Sequence, residues 1–226
     1  MKREELAKTY TGDKAATYDS KRKSSEKWQQ EQNAVHKILE SLPHGIKLID
    51  VPVGTGRFIE LYCELEITAT GVDISSDMIA RANEKAVKLG KKMNLHQGSI
   101  FELPEANGSF DCALCVRLLN WLSMSDVELA VRELSRVSSK FMVVGIRMKL
   151  TDISVMNRIM MVGEGIWRKF LSKKRTKFKI TVHDRSSVLS MFARLGLVSH
   201  RSETIDAGMR GTKYELFLLE KRPASN

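Results

Sequence analysis

The sequence predicts an α/β protein. A doubly wound, mostly parallel sheet of seven strands ends in an antiparallel hairpin, and a helical N-terminal arm and a helical, basic insert accompany it. Three observations predict this. From residue 47 to residue 147 short apolar runs alternate with helical periodicity, the pattern of parallel strands joined by crossover helices. The first of these runs passes directly into Gly54-Thr55-Gly56, a strand–turn–helix junction. Near the end of the chain two strand-like runs are joined by a short connection around Gly208–Gly211, and strands so joined run antiparallel.

The elements follow in order. Residues 1–32 are polar and charged, with Tyr10, Tyr18 and Trp28 spaced among Lys and Arg, and read as a helical arm. Ala34–Leu42 continues it and stops at Pro43-His44-Gly45, a strong break. Strands are expected at Lys47–Val53, Glu66–Asp73, Met93–Gln97, Phe110–Val116 and Phe141–Arg147. Helices are expected at Phe58–Glu64, at Ser75–Leu89 with a Ser75-Ser76-Asp77 cap, and at Met124–Val137 with Ser125 or Asp126 near its start. Ser154–Leu171 carries a helical apolar stripe. Asp184 is expected to cap a helix through Leu195 that Gly196 ends, and Val198–Ile205 and Tyr214–Glu220 form the closing hairpin. A single domain is expected over 1–226: arm 1–45, core 46–147, insert 148–183, helix and hairpin 184–226.

Composition narrows the classes. The 226 residues are 42% hydrophobic and 28% charged, ordinary values for a globular chain long enough to bury a core without staples. Three cysteines exclude a disulfide framework. Cys112 and Cys115 lie on an apolar run and read as buried reduced thiols of a cytoplasmic protein. No apolar run approaches the ~20 residues that span a bilayer, and the charged start MKREELAKTY lacks the apolar stretch of a secretory signal. No His/Cys spacing suggests zinc, so no metal is expected. The net charge of +10 favours acidic partners only weakly.

The chemistry is carried by Asp50-Val51-Pro52-Val53-Gly54-Thr55-Gly56-Arg57. A loop between a strand end and a helix start binds a ligand only if the ligand can approach its backbone, and glycine has no Cβ in the way. The helix start adds unsatisfied N–H groups. The second strand ends at Asp73, 23 residues after Asp50, where a carboxylate can bind a ribose diol in doubly wound folds.

With these blocks the chain resembles the class I S-adenosylmethionine-dependent methyltransferases, which have a Rossmann-like fold. The resemblance rests on LIDVPVGTGRF (48–58), TGVDISSDMIARA (70–82), QGSIFELP (97–104) and FDCALCVRLLNWL (110–122), in the family's order and spacing. The hairpin ending resembles the family's seven-stranded sheet. The resemblance covers roughly residues 46–222 and makes 46–147 the cofactor-binding core.

It implies roles residue by residue. Asp50 would hold the amino end of the methionine moiety, directly or through water, with Gly54, Thr55, Gly56 and Arg57 forming the loop against which it lies. Asp73 would accept from the ribose hydroxyls, Ile74 and Met78 would pack near the adenine, and Ser99 and Ile100 would sit at its edge. Cys115 to Asn120 would face the sulfonium and the acceptor. Tyr18 and Arg22, within a YDxxR-like stretch, would fold over the cofactor. Arg117, Asn120 and His183 are the candidate catalytic groups, His183 as a general base. Trp121, Met160 and Trp167 are candidates for the acceptor, the last two in the insert at the family's substrate-lid position. Two departures stand out: Pro52 replaces the first glycine of the common D-x-G-x-G-x-G loop, and Ser99 replaces a frequent Asp.

The resemblance implies S-adenosylmethionine as cofactor, S-adenosylhomocysteine as product, and in-line transfer to an O or N, or a C, of a small or amphipathic, anionic acceptor. Seven positive charges fall between Arg168 and Lys179. They leave open an RNA methyltransferase and a peripheral membrane contact. A cofactor-binding regulator without activity is the third reading. No Asn-Pro-Pro-Tyr segment and no Pro-Cys dipeptide is present, which disfavours base-amine and cytosine-C5 chemistry, and three cysteines argue against arsenic methylation. The sequence does not set the oligomeric state.

Overall fold

The computed structural model describes residues 25–149, 180–209 and 211–222. The element order is α1 (Glu26–Glu40), β1 (Lys47–Asp50), α2 (Ile59–Glu64), β2 (Thr68–Asp73), α3 (Ser76–Lys88), β3 (Asn94–Gln97), β4 (Phe110–Cys115), a 3-10 turn (Leu119–Trp121), α4 (Met124–Val137), β5 (Ser138–Lys149), α5 (Arg185–Arg194), β6 (Leu197–Met209) and β7 (Thr212–Lys221). Every element expected within the described residues is present, while the arm before residue 25 and the Ser154–Leu171 stripe lie outside them. Strands β5, β6 and β7 are longer than the apolar runs suggest, because polar ends such as Ser138 and Lys149 continue the pairing. Strand β1 is shorter, since the chain turns away after Asp50.

The strands form one seven-stranded sheet in the order β3-β2-β1-β4-β5-β7-β6. The first five run parallel to their neighbours, and β7 lies antiparallel between β5 and β6. A parallel sheet must be covered on both faces, and alternate residues serve each face. Cys112, Leu114, Val143 and Leu216 face α1 and α2, whereas Ala113, Cys115, Val144 and Phe217 face α4 and α5. Ile59 of α2 packs in turn on Ala82 and Ala86 of α3. Helix starts are fixed by side-chain acceptors: Ser25 for Trp28 N–H, Ser75 for Met78 N–H and Asp184 for Ser187 N–H. Ser123 performs this role for α4, accepting from Asp126 N–H, so the cap stands just before the residues picked out from sequence.

The order reverses beside β1, whose neighbours are β2 and β4. Chains leaving β1 and β4 there go to opposite faces, and a crevice opens at the carboxyl ends of the strands. Among the described residues no helix is long and apolar enough to cross a membrane, and no group of three or more metal-binding side chains is assembled.

Candidate active site

A cavity fills this crevice, and its wall is built from five segments: the glycine turn, the end of β2 with the start of α3, residues 98–101, the stretch after β4, and Trp28 of α1. The glycine turn is anchored on both sides of Pro52. Val51 N–H donates to Leu114 O and Val53 N–H to Val72 O, both at 2.9 Å. Proline between them has no N–H to satisfy, so the departure from the glycine pattern is accommodated.

The two glycines do different work. Gly54 (φ +55°) lines the cavity, and no atom lies within 4 Å of where a Cβ would stand. Its bare backbone is a cradle that a side chain would fill. Gly56 (φ +74°) is not part of the wall. A Cβ there would press on the Ile59 side chain and lie 3.1 Å from Ala82 Cα. Gly56 thus permits α2 and α3 to approach.

Asp73 faces Gly54 across the mouth of the turn. One carboxylate oxygen accepts Gly54 N–H and the other Ser75 N–H, each at 2.9 Å. Burial raises its pKa to about 6 against these lowering hydrogen bonds. Near neutrality it is therefore mainly an acceptor-only carboxylate. Thr55, Ile74, Met78, Ser99 and Ile100 join it in the wall. Ser99 Oγ accepts Phe101 N–H at 3.3 Å, and Phe101 itself lines the cavity.

Asp50 does not reach the wall. It is 1% exposed, and its Oδ2 accepts the Tyr62 hydroxyl at 2.7 Å. Burial, outweighing the Tyr62 hydrogen bond, pushes its pKa to about 7. Cys115 likewise faces the α4 side of the core, and burial raises its thiol far above its ordinary range. Neither lines the cavity; both point into packed protein.

Arg57, Arg117, Trp28 and Trp121 also line the cavity. Glu31 of α1, 1% exposed, joins the two arginines behind the wall. It accepts from Arg57 Nη1 in a very close pair and from Arg117 Nε at 2.7 Å. Arg57 also donates to Trp28 O at 2.6 Å and to Gln32 Oε1 at 3.1 Å, and stacks 4.2 Å over the Trp28 ring. A buried carboxylate persists only when charged partners surround it, and here those partners fasten α1 to the glycine turn and to the end of β4. The sequence carries a faint signal of this. Glu31 lies on the helical stripe continued by Ala34, Val35 and Ile38, where an apolar residue is expected.

Two candidate catalytic residues are placed elsewhere. Asn120 Oδ1 accepts Arg147 N–H at 2.7 Å, and its own carbonyl accepts Thr181 N–H at 2.7 Å. His183 exchanges backbone bonds with Arg147 and Lys149, and its Nε2 lies 3.3 Å from Leu119 O. Burial lowers its pKa, which favours the neutral ring donating to that carbonyl. Neither side chain lines the cavity; both join the Leu119–Trp121 turn to β5. Tyr18, Arg22, Met160 and Trp167 lie outside the described residues, as does the basic run.

Sheet order, glycine turn and Asp73 together define the fold of a class I S-adenosylmethionine-dependent methyltransferase. Residues 48–140 match the family model described as a methyltransferase domain. A phosphatidylethanolamine N-methyltransferase of Cereibacter sphaeroides is 33% identical over 98 residues, which is 42% of this chain. The chain matches only 47% of that relative's length. In structure the chain is similar to a magnesium protoporphyrin IX methyltransferase from Synechocystis PCC 6803 with bound S-adenosylhomocysteine. The TM-score is 0.74 at 11% identity, covering 98% of this chain and 100% of that one. It is also similar to a 4+2 cyclase, with a TM-score of 0.65 at 18% identity over 86% of this chain and 83% of the other. The shared architecture thus hosts more than one reaction.

Proposed function

We propose that the protein is an S-adenosylmethionine-dependent methyltransferase acting on a small, amphipathic acceptor at O or N, or at C. One observation carries the reading: the open backbone of Gly54 and the Asp73 carboxylate, hydrogen-bonded to each other, line one cavity at the reversal of strand order. A nucleoside-bearing donor needs such a pair, a carboxylate for a ribose diol and a bare loop for the chain attached to it. The residues fit the donor. Asp73 takes the ribose hydroxyls, and Ile74, Met78 and Ile100 supply apolar surface for the adenine with Ser99 at its edge. Gly54 and Thr55 face the methionine part.

When bound, the donor supplies a methyl carbon already activated by the sulfonium charge. The chain's task is then to orient the acceptor in line and to exclude water. Trp28, Phe58, Leu118 and Trp121 give the cavity an apolar wall. A base is needed only if the acceptor must lose a proton. The amphipathic acceptor is supported by the wall and by the relatives, whose names give phosphatidylethanolamine and magnesium protoporphyrin IX as acceptors.

The test has two readouts. S-adenosylhomocysteine binding is measured by calorimetry for the wild type and Gly54→Arg. Labelled methyl transfer from S-adenosylmethionine into a cell extract is then followed in small-molecule, lipid, protein and RNA fractions. Binding lost in Gly54→Arg, with label in the small-molecule or lipid fraction, is expected. Absence of binding by the wild type would overturn the reading; binding without label in any fraction would overturn transfer and leave a cofactor-binding protein.

A further inference from the structure

We propose that Arg117 is an anion anchor of the cavity, seating a carboxylate of the bound ligands, and that Glu31 and Tyr214 are its positioning residues. The proposal rests on the methyltransferase reading only for the choice of ligand. Arg117 lies just past the end of β4 and lines the cavity, with its side chain 36% exposed. Its backbone is left-handed (φ +65°), an uncommon state for a residue with a side chain. Such a conformation persists where surrounding structure over-determines it, and it concentrates at ligand sites.

Hydrogen bonds at both ends of the residue hold Arg117 there. The Tyr214 hydroxyl oxygen accepts Arg117 N–H at 2.9 Å, across 97 residues of sequence. Tyr214 is 2% exposed, and its ring lies over Gly145 of β5, where any Cβ would overlap the ring and hydroxyl. Glycine on a central strand is otherwise unfavourable; here it clears the path from β7 to the end of β4. At the other end of the residue, Glu31 accepts from Arg117 Nε and so orients the plane of the guanidinium.

A guanidinium so fixed suits one chemistry. Its planar fork of donors matches a carboxylate, to which it bonds through two parallel N–H groups. The neighbours Trp28, Leu118 and Trp121 are apolar, which weakens screening by water and strengthens a charged pair. The carboxylate has two sources within the proposed reaction: the α-carboxylate of the donor, or an acid group on the acceptor.

Calorimetry on the full chain separates these. S-adenosylhomocysteine and its decarboxylated analogue are titrated into the wild type, Arg117→Gln, Arg117→Lys and Tyr214→Phe. Octanoate and octan-1-ol are then titrated, by tryptophan fluorescence, into each protein saturated with S-adenosylhomocysteine. If the donor is the source, the wild type prefers S-adenosylhomocysteine over the analogue at least tenfold. Arg117→Gln abolishes that preference, Arg117→Lys restores part of it, and Tyr214→Phe reduces it with little change in melting temperature. If the acceptor is the source, the first preference is absent and the octanoate–octanol preference behaves in this way instead. No preference in either pair, or one that Arg117→Gln leaves intact, would overturn the proposal. If the wild type binds no S-adenosylhomocysteine, the donor reading fails, and octanoate against octan-1-ol on the protein alone decides the anchor.

Discussion

Glu31 and Arg117 are 86 residues apart in the chain and 2.7 Å apart in space. The pair places the carboxylate of the first described helix directly behind the cavity wall, where it also serves Arg57. Helix α1 is therefore part of the site's frame as well as of the sheet's cover.

Glu31→Gln is expected to be strongly destabilising. It keeps the shape but removes the charge that two partly buried guanidiniums share. Breaking a buried pair on one side costs roughly 3–5 kcal/mol. Urea unfolding followed by circular dichroism checks this; a loss within the scatter of surface substitutions would show that the network is not a stability element.

Asp73→Asn should weaken S-adenosylhomocysteine binding by roughly 1.5–3 kcal/mol, the usual worth of a hydrogen bond to a charged group. The pH dependence gives a sharper signature. The Asp73 pKa is about 6, so protonation removes the acceptor as pH falls through that value. Wild-type affinity is expected to drop between pH 7 and pH 5, while that of Asp73→Asn stays flat. Parallel pH profiles for the two proteins would reject the ribose assignment.

Asp50 is expected to make stability depend on pH. Its folded pKa of about 7 lies above the ordinary 3.8 because burial disfavours the charge. The native state therefore holds a proton that the unfolded state releases. Its contribution is fully present below pH 3.8 and is lost as pH rises through 7. The three-unit gap corresponds to a change on the order of 4 kcal/mol. Asp50→Asn, whose amide oxygen still accepts from Tyr62, should flatten this decline, gaining relative to wild type at pH 8 compared with pH 5. Denaturant midpoints at the two pH values decide; an unchanged difference would show that Asp50 does not titrate in this window.

The two glycines of the turn should separate binding from folding. Gly54→Arg fills open space, so it should abolish cofactor binding while costing the ~1–2 kcal/mol of left-handed backbone strain. Gly56→Ala carries the same strain and in addition presses on Ile59 and Ala82, and overpacking adds roughly 1–3 kcal/mol. Thermal melts and calorimetry on both variants check the contrast, which fails if Gly56→Ala is the more stable protein.

Much of the fold is legible in the sequence because it is local. Strand runs, the turn after β1, the Ser75 and Asp184 caps and the closing hairpin each follow from residues a few positions apart. Half of the cavity is legible for the same reason, since Gly54, Asp73, Ile74 and Ser99 lie at element ends. What escapes is long-range bonding. The sequence does not show that Tyr62 occupies Asp50, or that Asn120 and His183 serve the backbone of β5. Nor does it show that Gly145 makes room for Tyr214. An acid or a histidine looks equally chemical whether it faces a cavity or a carbonyl.

The insertion of β7 between β5 and β6 bears on how the protein is made. During synthesis β5 and β6 emerge before the strand that must separate them, so this half of the sheet stays unzipped until β7 arrives. Tyr214 travels on that strand and fixes Arg117. A nascent chain halted before β7 therefore lacks both the seam of the sheet and the support of its cavity wall. Synthesis of β7 is built into the competence of the site.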